Sequence, residues 1–200
     1  MTEGERFSDQ LERWLRSDDR KTIGRLGEVF GHKSFAVTVL LLMFLPALPL
    51  PTGGITHVFE VITILIGAEM VLGLRTLWLP ARWRDRELSK TITGKAIPFI
   101  IKRVRWFERI SRPRWAHLFD QRSFVRVLGV VVIALAVGAL LAPPFSGLDT
   151  LPALGAVVVA LGIILTDIVV VAIGLAIGTG GVIVILTLGA AIFRLIKGLF

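Results

Sequence analysis

Two long apolar blocks dominate this chain, and each carries two carboxylates and no basic residue. Residues 35–74 hold Glu60 and Glu69, with His57 beside them, and residues 127–193 hold Asp149 and Asp167. Each block exceeds the roughly 20 residues that cross a bilayer as a helix. A charge at the bilayer centre is costly, so acids persist there where they face a packed interior, a wet cavity or an ion path. The blocks predict an all-α, polytopic helical membrane protein, and they mark Glu69, Glu60, His57, Asp167 and Asp149 as candidates for an ion or substrate path.

Composition narrows the class further. With 54% apolar residues the chain reads as an integral membrane protein. Residues 1–33 are strongly charged and lack the apolar core of a secretory signal, so insertion is expected through the helices themselves. Zero cysteines and three scattered histidines leave no thiolate chemistry and no metal-ligand spacing. Neither a phosphate loop, a dinucleotide fingerprint, a zinc motif nor a nucleophile elbow occurs; Thr93-Gly94-Lys95-Ala96 lacks the hydroxyl and the upstream glycine of a phosphate loop. The expectation is a non-enzymatic protein with no cofactor and no metal.

The net charge of +8 is unevenly spread: residues 1–34 hold seven Lys/Arg against seven Asp/Glu, and residues 75–126 hold fourteen against four. Basic connections stay in the cytoplasm, which places residues 75–126 on that face. Contact with anionic lipids is the expectation for this basic linker, and nucleic acid is not, since the cations flank membrane segments.

The chain divides into an amphipathic N-terminal segment (1–34), a first membrane unit (35–79), a basic amphipathic cytoplasmic linker (80–123) and a second membrane unit (124–200). The two halves follow the same order. A charged amphipathic helix, about 7–30 with Phe7, Leu11, Trp14 and Leu15 on one face, leads to Lys33-Ser34-Phe35; a basic segment around 97–115 leads to Arg122-Ser123-Phe124. Glu12-Arg13 matches Glu108-Arg109 at an offset of 96, Gly53 matches Gly147 at 94, Gly67 matches Gly162 at 95, and the two Ser-Phe entries match at 89. The pattern fits two related repeats of about four to six membrane segments in total, like the paired, often inverted repeats of transporters, whose sites form at interrupted helices.

Each half is broken by proline and glycine: Pro49, Pro51, Gly53 and Gly54 in the first, Pro143, Pro144 and Gly147 in the second. These breaks read either as ordinary turns or as re-entrant hairpins whose freed backbone groups line a cavity. Glu69, between small neighbours in a stretch expected to run from Ile55 to about Leu79, is the first candidate. Glu60, nine positions earlier, is expected within about 100° of the same face, with His57 one turn away to bond it or relay a proton. Asp149 and Asp167 read either as path residues or as caps of the helices that follow. Gly174 and Gly178 in the last apolar stretch, Ile168 to Phe193, are expected to serve packing within the chain rather than a dimer seam.

The break at Leu45 to Gly53, the linker Trp78-Leu79-Pro80-Ala81-Arg82-Trp83, the Arg112-Pro113-Arg114 element and Leu151-Pro152-Ala153-Leu154 together resemble the exopolysaccharide-synthesis ExoD family of bacterial membrane proteins, over about residues 7–190. The resemblance implies a multi-pass inner-membrane protein linked to exopolysaccharide production and, in some members, to tolerance of alkaline conditions; it supplies no catalytic residues. Two functions stand: a transporter-like protein for ions or small solutes, or a non-transporting accessory subunit of exopolysaccharide assembly. The partners expected are the bilayer, a second copy of the chain and the polysaccharide machinery.

Overall fold

A computed structural model of the 200-residue chain describes residues 6–22, 25, 33–48, 55–74, 87, 93–94, 97–110, 114–143 and 146–199. Pro49, Pro51, Gly53, Gly54 and Pro144, with most of the Trp/Arg linker, lie outside the described residues. The described chain is all-helical: α1 (Phe7–Arg16), α2 (Lys33–Phe44), α3 (Ile55–Leu72), α4 (Ile97–Ile110), α5 (Ala116–Phe119), α6 (Arg122–Leu140), α7 (Thr150–Leu165) and α8 (Ile168–Leu199).

The helix ends follow local chemistry. α1 is shorter than the expected 7–30: it stops at Arg16, where Ser17 N and Oγ and Lys21 Nζ donate to the Trp14 carbonyl and Lys21 Nζ also to that of Ser17. α2 stops at Phe44, because the residue before Pro46 is pushed out of helical geometry. α3 ends at Leu72 rather than near Leu79. Gly73, at φ +75°, donates to the Met70 carbonyl and Leu74 donates to that of Glu69, the paired bonds of a Schellman cap. The same cap closes α7, with Thr166 in the left-handed position at φ +52°, Thr166 N bonded to the Ile163 carbonyl and Asp167 N to that of Gly162.

α2 and α6 each pack against both α3 and α7, so the four form a ring with α3 and α7 on a diagonal. α8 runs along the outside of α7 and touches α6, while α1 lies on α4. The tightest crossing joins α7 to α8. A Cβ on Gly155 would sit 2.4 Å from Gly178 Cα and 2.9 Å from the Gly174 carbonyl, so Gly174 and Gly178 serve packing within the chain.

Two helices, Arg122–Leu140 and the stretch Ile168–Ala191 of α8, are long and apolar enough to cross a bilayer. Only 39% and 28% of these stretches are buried, which leaves Val127, Val130, Ile173, Ile183 and Leu186 facing outward. A soluble core helix would hide such a surface. α3 shows the same outward face at Val58, Val61, Leu65 and Leu72.

Candidate functional site

The inward face of α3 is polar where that of α7 is not. Thr56, Glu60 and Thr63 recur at helical spacing and are buried at 2%, 0% and 0% exposure, ahead of Ile66 and Met70 on the same side. Thr63 Oγ1 donates to the Phe59 carbonyl at 2.8 Å, the usual way a hydroxyl is satisfied inside a helix. Thr56 is likewise partnered. Glu60 differs. Its Oε2 lies 2.7 Å from His57 Nδ1, whereas Oε1 is buried with no hydrogen-bond partner.

A sealed carboxylate with an empty oxygen is costly as an anion unless a proton or a cation joins it. His57 supplies the link to the outside, because its side chain is 29% exposed while that of Glu60 is fully covered. The hydrogen bond runs in either direction, from imidazole N–H to carboxylate or from carboxyl O–H to imidazole, which is the geometry of a proton hand-over. Asp149, at the head of α7, lies within the electrostatic field of Glu60. Beside it Thr150 Oγ1 is also buried without a hydrogen-bond partner, as is Ser34 Oγ at the start of α2. Among the described residues no group of three His, Asp or Glu forms a metal-ligand cluster.

The other candidates fall elsewhere. Glu69 stands three residues before the end of α3, half-buried and already partnered, instead of deep in a long stretch. Nine residues advance a helix by about two and a half turns, so Glu60 and Glu69 lie on opposite faces, and the expectation of a shared face fails on that half turn. Asp167 caps α8, its Oδ1 accepting from Val169 N at 3.0 Å. Asp149 occupies the cap position of α7 without making the cap bond, and is half-buried. At the second break, Pro143 and Gly147 are exposed and form a turn, with Ser146 N bonded to the Pro143 carbonyl at 3.2 Å and Gly147 at φ +68°. Thr150 escaped the sequence reading because a threonine at a helix start looks like any first-turn residue.

The family model for exopolysaccharide synthesis, ExoD, matches residues 7–187. The chain belongs to the ExoD family. It is 31% identical over 152 residues to Protein ExoD of Rhizobium meliloti (strain 1021), covering 73% of this chain and 61% of that protein. It is also 28% identical over 165 residues to the uncharacterized protein slr1875 of Synechocystis sp., covering 79% and 75%. No solved structure matches the chain. The match spans almost all of the described helices, so α3 with its buried carboxylate lies inside the ExoD unit.

Proposed function

We propose that this ExoD-family chain is a multi-pass protein of the bacterial inner membrane that passes protons or a small monovalent cation through Glu60, in support of exopolysaccharide production. The observation that carries the reading is the fully buried Glu60 carboxylate, held on one side by His57 and empty on the other. A scaffold has no need of a buried acid with one oxygen unmet, since an apolar residue of similar size packs there at less cost.

The reading includes a related pair of halves. α2 and α6 both open on a basic residue followed by Ser-Phe, and both pack against α3 and α7, which both close on Schellman caps. α1 and α4 pair across the same relation, with Arg105 on Glu12 and Ser8 N on Glu108 at 3.0 Å. A Cβ on Gly73, at the end of α3, would lie 3.5 Å from Arg126 near the start of α6, so both hairpins leave from and return to the basic face. A relation of the halves about an axis along the membrane normal fits this contact better than an inverted one. With residues 75–126 in the cytoplasm, Glu60 and His57 near the start of α3 sit toward the periplasmic side.

The test is complementation of a strain lacking this protein. Glu60→Gln, inserted at wild-type abundance, should lose exopolysaccharide output and growth under alkaline stress. Full rescue by the variant would favour the accessory role.

A further inference from the structure

The amphipathic pair α1–α4 holds an open cleft of about 780 Å³ outside the ring. Ion pairs fix its walls: Arg105 of α4 reaches both Glu12 and Asp9 of α1, and within α1 Arg16 closes on Glu12 at 2.6 Å. These contacts use up the acids of the cleft. Among the described residues Lys102, Arg103 and Arg109 line the same cleft, are exposed, and pair with no carboxylate. Arg103 instead stacks over Phe99 at 5.2 Å.

The remaining lining is apolar. Leu15 and Ile101 contribute to the floor, and Trp106 and Phe99 stand at the rim with 55% and 43% exposure. Unpaired cations above an apolar floor, rimmed by exposed aromatics, match an amphiphile with an anionic head better than a free anion, for which Trp106 and Phe99 would be superfluous. The cations number three and are spread over two helical turns, which suits a phosphate reached from more than one direction. We propose that the α1–α4 cleft binds the phosphate headgroup of an anionic phospholipid through Lys102, Arg103 and Arg109. The bound lipid would tie the amphipathic pair to the bilayer surface. This site is separate from Glu60 and does not depend on transport.

The test uses the full chain in nanodiscs of zwitterionic lipid containing a small, varied fraction of phosphatidylglycerol, with retained anionic lipid counted by native mass spectrometry. Replacing Lys102, Arg103 and Arg109 together by Gln should weaken retention by roughly 100-fold, since each basic residue near a membrane surface contributes about 1 kcal/mol. The melting temperature should stay within a few degrees, because no ion pair is lost. A charge-matched control replaces the exposed Arg20, Arg114 and Arg122 by Gln and should retain the lipid. Equal loss in both variants would show a general surface charge and overturn the site, as would no loss in the first. Displacement of the lipid by soluble glycerol phosphate at similar concentration would mean that the cleft takes a free phosphate ester, and would overturn the lipid assignment.

Discussion

α3 and α7 hold equivalent places in the ring, yet their inner faces differ in kind. α3 turns Thr56, Glu60 and Thr63 inward, whereas the residues buried on α7 include Ala153, Ala156 and Ala160, and its Gly155 meets α8. The small residues let the α7 and α8 backbones touch, which is how helices associate where lipid removes the hydrophobic drive. The polar stripe of α3 adds little packing and leaves an oxygen unmet. The difference sets a tightly packed small-residue face against a buried polar one. It also explains why similar sequence offsets predict similar placement without predicting similar roles.

The sharpest way to break this contrast is to add one methyl group to each half. Gly155→Ala drives a Cβ into Gly178 Cα, backbone against backbone, and should cost about 1–3 kcal/mol. Gly67→Ala meets Ile133 Cγ1 at 2.7 Å and the Gly129 carbonyl oxygen at 3.1 Å, with no backbone atom as close as at Gly155, and should cost less. Melting of the two variants in the same detergent gives the order; equal losses would erase the distinction. A gain of about 1 kcal/mol is expected from Thr166→Gly, which relieves the left-handed backbone at the end of α7. Gly73 already has that relief at the end of α3.

The smallest effect concerns α1, outside the membrane segments. The hydrogen bond from Arg105, helped by the charge of Arg16, holds the Glu12 carboxyl below the usual carboxylate range. A lowered folded value means that its contribution is present above the unfolded pKa, about 4.3, and is lost as pH falls through the folded value. Hydrogen exchange over residues 7–16 should therefore lose protection only in acid, with α6 and α8 unchanged. Glu12→Gln should remove that pH dependence.

Much of the fold was legible. The apolar blocks located α6 and α8, the Ser-Phe entries located α2 and α6, and Pro46 and Pro143 marked where helices stop. The site was half legible: His57 one turn from Glu60 gave the bonded pair, because neighbours on one helix need no tertiary information. Glu69 drew the stronger expectation from its small neighbours and the length of its apolar run. Gly73 ends that helix early, and a cap with φ above zero cannot be told from other glycines in an apolar stretch. Burial of Glu60 and the field of Asp149 come from the ring, which no local pattern specifies.

On the proposed function the two acids of α3 divide the labour, with Glu60 carrying the ion and the half-buried Glu69 dispensable for it. Ion flux in proteoliposomes, with an imposed pH gradient and a panel of monovalent cations, tests it in one comparison of wild type, Glu60→Gln and Glu69→Gln. Flux is expected in the wild type, lost in Glu60→Gln and retained in Glu69→Gln. Flux retained in Glu60→Gln, or none in a folded wild type, would contradict it.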